Sequence, residues 1–234
     1  MTEMPDNWRY IIPLKDGSFT PGTKEVSSTS KLIDKIDMAG KDVLDVGAWD
    51  GHYSLIAAQK GARHVTALDI MSRPTIQFIK EHYELDNMEI VQGSIYHFDP
   101  QKQYDVVLFY GVYYHLSDPV QALINCFRLS KEIVAVEGVM HKDKLPTMLL
   151  LDPGEIAPMD TSNIFSLSTT MLKKLGRSCG FHAVFEEDRS TDPRFRVGGR
   201  GTIVFKRDTY TENAYADWSF PVAPLAPIGQ SQPD

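Results

Sequence analysis

Several residues around one bend could do chemistry together. In Val43-Leu44-Asp45-Val46-Gly47-Ala48-Trp49-Asp50-Gly51, an apolar run carries a carboxylate, breaks at a glycine, and resumes after a second glycine with helical spacing. Asp69 closes the next apolar run, where a carboxylate can accept the two hydroxyls of a ribose. A strand that turns this sharply into a helix lets a ligand approach the backbone with no Cβ in the way. In open α/β sheets that crevice, at the carboxyl ends of the strands, is where ligands bind. The spacing departs from GxGxxG, because Trp49 stands at the middle glycine position. Asp45 and Asp50 put negative charge where a pyrophosphate would lie, so a cationic ligand suits the bend better than a dinucleotide.

S-Adenosylmethionine fits these demands: it joins a sulfonium and an ammonium to a ribose. Its methyl is already activated, so the protein must chiefly align a nucleophile and exclude water. A hydroxyl or ammonium acceptor would also need a general base. His115, just after an apolar run ending near Phe109 and Tyr110, is the first candidate, its unperturbed pKa suiting base work. It could equally serve to tie that loop to the following helix. His141, behind Glu137, is a second candidate, and Tyr110, at the end of the apolar run that precedes His115, a third polar group. Tyr113 and Tyr114 could shape the pocket or pack beneath the loop. His52 could touch the cofactor or stand partly exposed on a first helical turn. Gly138 to Ser168 is long for a strand–helix connection and rich in Met and Leu, which suits a lid or an acceptor pocket. Arg189, Arg194, Arg196 and Arg200 read as a solvated hairpin connection among glycines.

The elements needed to position these groups follow from periodicity. Asp42 to Val46, His64 to Asp69, Met88 to Gln92, Tyr104 to Phe109 and Glu132 to Glu137 are short apolar runs. Helical spacings at Gly51 to Lys60, Pro74 to Tyr83 and Pro119 to Leu129 separate most of them. Ser117 or Asp118 would cap the last of these, with Pro119 in its first turn. That alternation predicts a parallel sheet covered on both faces. Thr169 to Cys179 predicts a helix closed by Gly180. His182 to Glu186 and Thr202 to Lys206 have no helix between them and can pair antiparallel. Lys24 to Met38 is expected to be helical, and Thr209 to Asp234 an extended tail rich in aromatic residues and proline.

With these motifs the chain resembles the class I methyltransferases, on Leu44 to Gly51, Gly61-Ala62 and Ala67-Leu68-Asp69. More narrowly, it is similar to a subgroup related to tRNA wobble-uridine carboxymethyltransferases. That likeness rests on Phe109-Tyr110-Gly111-Val112-Tyr113-Tyr114-His115-Leu116-Ser117-Asp118-Pro119 and on the leader Trp8-Arg9-Tyr10-Ile11-Ile12-Pro13-Leu14. The resemblance implies a Rossmann-like α/β fold: a seven-stranded, mostly parallel sheet with its last strand antiparallel and helices on both faces. It implies that Asp45, Gly47, Ala48, Trp49 and Gly51 line the methionine end of the cofactor and that Asp69 binds the ribose. Ile70, Ser94 and Ile95 would flank the adenine, and Tyr110 and Gly111 would face the methyl. Ser94 stands where many relatives have an aspartate, which weakens one adenine contact.

The expected organisation is a leader and helix over residues 1–40 covering the cofactor cleft, a methyltransferase domain over 41–208, and a tail over 209–234. Deleting the residues before Gly22 would then weaken cofactor binding. The expected reaction is methyl transfer to an oxygen or nitrogen of a small molecule, in the manner of natural-product biosynthesis. The alternative is modification of tRNA with a carboxylated donor, which would need a cation near the methyl; Lys24, Arg73 and Arg200 are candidates. A cofactor-binding subunit without catalysis is a third reading.

Composition narrows the classes. The formal charge of -7 gives no global attraction to phosphate backbones, so nucleic acid is disfavoured as a partner. Hydrophobic residues at 42% suffice for a sizeable core. Cys126 and Cys179 sit in apolar helical patterns and read as reduced core residues, not as a disulfide or metal site. No apolar run approaches the roughly 20 residues of a membrane helix, and the polar start lacks a signal-peptide core. A cytoplasmic location is expected.

Overall fold

The computed structural model describes residues 3–25, 31–154, 162–189 and 198–208. The tail, Met159, Arg194 and Arg196 fall outside these. Strands β1 (Tyr10–Ile11) and β2 (Lys24–Glu25) pair in parallel within the leader. The main sheet takes β3 (Asp42–Val46), β4 (His64–Asp69), β5 (Met88–Gln92), β6 (Tyr104–Tyr110) and β7 (Ser130–His141), all parallel to one another. Short strands β8 (Met148–Leu150) and β9 (Phe165–Ser168) follow, and then β10 (Phe181–Arg189) and β11 (Gly199–Arg207). The principal order is β10-β11-β7-β6-β3-β4-β5, with β11 antiparallel to both neighbours. This is the expected seven-strand, Rossmann-like arrangement with an antiparallel final strand.

Two expectations need correction. The strand expected to end at Glu137 runs further: β7 continues to His141, β9 adds in parallel to its end, and β8 pairs antiparallel with β9. The described sheet is therefore nine-stranded. The leader helix is also shorter than its apolar spacing suggests. Lys24–Glu25 is strand, and the described helical part is one 3-10 segment, Lys31–Lys35, which buries Leu32 and Ile33.

Alternation along the strands divides the core into two faces. Leu44, Val46, Val107 and Phe109 pack with α3 (Pro119–Leu129) and α4 (Thr169–Ser178). Val43, Val65, Val106 and Leu108 pack with α1 (His52–Gln59), α2 (Pro74–Tyr83) and the leader segment around Ile36. Helix starts follow local chemistry. The Asp118 carboxylate accepts from the Gln121 amide with Pro119 behind it, and Ser168 accepts from the Met171 amide. Gly180, in the left-handed region, ends the turn after α4. A third apolar cluster joins Trp8, Tyr10, Ile12 and Leu14 of the leader to Leu55, Phe78 and Ile79. The leader is thus packed on α1 and α2. Cys126 and Cys179 are free thiols, and burial pushes both above the usual thiol range.

Candidate active site

At the carboxyl edge of β3 the chain turns through Gly47, whose φ of 77° is open to glycine but strained for other residues. A side chain there would also collide with Val112, which follows β6. The bends after β3 and β6 therefore approach as closely as they do because position 47 has no Cβ. The Gly47 and Ala48 amides donate to the Leu68 carbonyl, fixing this bend beside the end of β4. Helix α1 starts at Gly51 with no side chain capping it, so its positive end opens at the bend.

Two carboxylates meet there. Asp45 is almost wholly buried and accepts from the Ser54 hydroxyl at 2.6 Å. Burial raises its pKa to about 7, the Ser54 bond opposes this, and the charge of Asp69 adds to the rise. Asp69 accepts the Trp49 amide on one oxygen and the Met71 amide on the other, each at 2.9 Å. Next to it, Ile70 and Met71 are 68% and 52% exposed, an uncovered apolar ledge at the sheet edge. Ile95 is buried and Ser94 accepts weakly from the Tyr96 amide, both just beyond β5. The structure therefore gathers Asp45, Gly47, Ala48, Trp49, Gly51, Asp69, Ile70, Ser94 and Ile95 along the carboxyl ends of β3, β4 and β5.

Asp50 differs from its expected role. Its carboxylate turns toward the leader, accepting the Arg9 and Tyr10 amides on one oxygen and the Thr75 hydroxyl on the other. Its charge is spent holding Trp8 to Tyr10 against the bend and the start of α2.

Across the crevice, β6 ends at Tyr110 and Gly111, the latter with φ of 76° and its amide donating to the Glu137 carbonyl. A Cβ at Gly111 would stand 3.6 to 3.9 Å from Tyr114 Oη, Arg200 Nη2 and Glu137 Oε2. Those three groups form one buried cluster. Arg200 donates from Nε and Nη2 to the two Glu137 oxygens at 2.7 and 2.6 Å, and from Nη1 to Tyr114 at 2.7 Å. Burial opposes the charge on Arg200, but Glu137 and Tyr114 hold it protonated, above the ordinary arginine value. Arg200 is therefore a strand residue locked against β7, contrary to the expected solvated connection. The register sets Thr202 opposite Glu137 and Arg200 opposite Val139, so Arg200, two positions from Thr202 on the same face, reaches Glu137 diagonally. Tyr113 packs instead, its hydroxyl donating to the Val139 carbonyl.

Tyr10 of the leader lies in the same electrostatic neighbourhood; burial pushes its phenol up to about 12. Its ring is 5.8 Å from His52, whose ring is 5.1 Å from Tyr53, which is 4.7 Å from Tyr110. His52 is buried with no partner on either ring nitrogen, and burial lowers its pKa to about 4. His115 Nδ1 lies 2.8 Å from the Ser162 carbonyl, and the Ile164 amide donates to the Tyr114 carbonyl. A carbonyl only accepts, so Nδ1 is the donor in this pair and the ring is tied to the Ser162 backbone. His141 is placed differently: its two nitrogens are 2.9 Å from the hydroxyls of Ser166 and Thr147, which leaves neither for an acceptor. Burial also lowers its pKa. The sequence missed the Glu137–Arg200–Tyr114 cluster, since no local pattern encodes which residues of β7 and β11 face each other.

Among the described residues there is no metal-binding cluster and no helix long and apolar enough to cross a membrane. Residues 44–133 match the family model of a methyltransferase domain. A ubiquinone biosynthesis O-methyltransferase of Pseudomonas fluorescens is 30% identical over 104 residues, covering 43% of this chain and 44% of that protein. A tRNA U34 carboxymethyltransferase of Alteromonas mediterranea is 28% identical over 174 residues, covering 66% and 51%. The chain thus spans about half the length, or less, of the curated relatives it matches. A solved structure with the same fold is 1,6-didemethyltoxoflavin-N1-methyltransferase of Burkholderia thailandensis, with S-adenosylhomocysteine bound. It has a TM-score of 0.56 and 19% identity, over 74% of this chain and 72% of that one. The fold is that of the Rossmann-like methyltransferases. S-Adenosylmethionine is the cofactor that the crevice fits, with a buried carboxylate at the bend, a second at the end of β4 and an uncovered apolar ledge beside it.

Proposed function

We propose that this protein transfers a methyl group from S-adenosylmethionine to an oxygen or nitrogen of a small molecule, in the manner of natural-product biosynthesis. The observation that carries this reading is Asp45: a buried carboxylate at the bend after β3, paired with a hydroxyl but with no cation among the described residues. The cofactor supplies an activated methyl on its sulfonium. Asp45 would hold the ammonium, with the backbone of Gly47 and Gly51 around the methionine end. Asp69 would accept the ribose hydroxyls, with its oxygens already oriented by two backbone amides. Ile70, Ser94 and Ile95 would flank the adenine. Tyr110 and Gly111 would border the reacting methyl, and His115 is the favoured base. The leader of residues 1–40 would close the crevice, since Asp50 and the apolar cluster hold Trp8 to Tyr10 beside it.

One observation favours a second reading, a tRNA-directed enzyme using a carboxylated donor. Arg200, a guanidinium, stands against Gly111, where such a carboxylate would point. Its full pairing with Glu137 and Tyr114 argues for the first reading. Release of S-adenosylhomocysteine, measured with S-adenosylmethionine across hydroxylated and amine small molecules and with both S-adenosylmethionine and its carboxylated analogue against unmodified tRNA, separates the two. Turnover on a small molecule alone supports the first; turnover on tRNA alone overturns it.

A further inference from the structure

Three donor groups collect around Trp49 with no acceptor suited to them. The Arg73 guanidinium stacks 3.6 Å from the indole centroid, and the Arg9 guanidinium lies 5.2 Å from it. Trp49 Nε1 and Arg73 Nε are both buried without a hydrogen-bond partner, and the contact recorded for Arg73 Nη2 is the Met71 thioether, a weak acceptor. Indole N–H and guanidinium groups only donate. Among the described residues no carboxylate pairs with either arginine. The two that are near, Asp50 and Asp69, give their oxygens to backbone amides and to the Thr75 hydroxyl. Arg73 is also the N-cap of α2, which no side chain caps, and Asp50 meets that first turn only at the Thr75 hydroxyl. Buried donors left unmade are costly and rare in native proteins. Two cations held against one ring repel each other, and a bound anion offsets that repulsion and satisfies the unmade donors. In a chain of formal charge -7, such a concentration of donors stands out from its surroundings.

We propose that Arg9, the Trp49 indole N–H and Arg73, with the start of α2, form an anion site that takes a carboxylate or phosphate group at the mouth of the crevice. The site rests on these contacts and not on the reaction proposed above. The anion has two sources: an acidic group on the acceptor, or the cofactor's own carboxylate. The two carboxylates beneath the bend serve a cation, and the arginines above it serve the opposite charge. A zwitterionic cofactor or an acidic acceptor would match that division.

The test uses the full chain labelled with nitrogen-15, following the Trp49 indole resonance, assigned through Trp49→Phe, during titration with inorganic phosphate at constant ionic strength. The expected result is a saturable downfield shift whose midpoint weakens about tenfold or more in Arg9→Gln and in Arg73→Gln, with thermal midpoints held as a check on folding. Repeating the titration with bound S-adenosylhomocysteine, and with 5′-methylthioadenosine, which lacks the carboxylate, identifies the source. A phosphate shift that persists with S-adenosylhomocysteine bound assigns the anion to the acceptor. A shift produced by S-adenosylhomocysteine itself, but not by 5′-methylthioadenosine, assigns it to the cofactor. A non-saturating shift in the free protein, or one equal in wild type and both variants, overturns the site. Failure of S-adenosylhomocysteine to bind by calorimetry would overturn the cofactor reading while leaving the phosphate result intact.

Discussion

The two banks of the crevice handle charge in opposite ways. On the β3–β4 bank, Asp45 and Asp69 are satisfied by a hydroxyl and by backbone amides, with no ion pair to either among the described residues. On the β6–β7–β11 bank, Glu137 and Arg200 cancel each other and engage Tyr114. Two carboxylates without an ion-pair partner among the described residues remain where an ammonium would enter, and none remains where the acceptor would. The first bank is set up for an outside cation. The second is already complete, and its role is to hold Gly111 and the end of β6 rigid. Removing a group should therefore damage binding on one bank and folding on the other.

The largest effect is expected at the complete bank. Arg200→Met leaves Glu137 buried without its partner, and breaking a buried pair this way costs about 3–5 kcal/mol of stability. Urea denaturation should register that loss, and a change under about 1 kcal/mol would mean the pair is not the brace described. Next is Asp69→Asn, which removes a charged acceptor from the cofactor bank. It should weaken S-adenosylhomocysteine binding by roughly 1.5–3 kcal/mol, about ten- to a hundredfold, with little change in the urea midpoint. If stability falls and affinity does not, the banks are not distinct in this sense.

Asp45 sharpens the comparison through pH. Its folded pKa, about 7, lies above the unfolded value, so the free protein loses stability as pH rises from about 4 toward 7. An ammonium favours the ionised form, so ligand binding should run the other way. Affinity for S-adenosylhomocysteine should strengthen up to about tenfold per pH unit below 7, then level off, and Asp45→Asn should flatten the curve. A wild-type curve that is flat from pH 5 to 8 would remove Asp45 from the site. The smallest change is Ser54→Ala. Losing one hydrogen bond, about 1 kcal/mol, should move the inflection to higher pH without altering the plateau.

Much of the fold was legible because it rests on local rules. The runs at Asp42–Val46, His64–Asp69 and Met88–Gln92 and the helices Pro74–Tyr83 and Pro119–Leu129 lie where apolar spacing, the Asp118 cap and Pro119 put them. The bend at Gly47 was legible because only a glycine serves there. What escaped depends on pairing between distant segments. Arg200 lies 63 positions from Glu137, and its surrounding glycines read as a loop. Asp50 carries no local sign that it will turn to backbone amides 40 and 41 positions earlier. His141 lies past the apolar run that ends at Glu137, but β7 outlasts that run and places its ring between two hydroxyls.

Isothermal titration of the purified chain with S-adenosylhomocysteine and, in parallel, with NAD tests the central claim most directly. The account predicts saturable binding of the sulfur nucleoside at pH 8, loss of most of that affinity in the Asp45→Asn, Asp69→Asn double variant, and no binding of NAD. Binding of NAD with none of S-adenosylhomocysteine, or full affinity in the double variant, would contradict it.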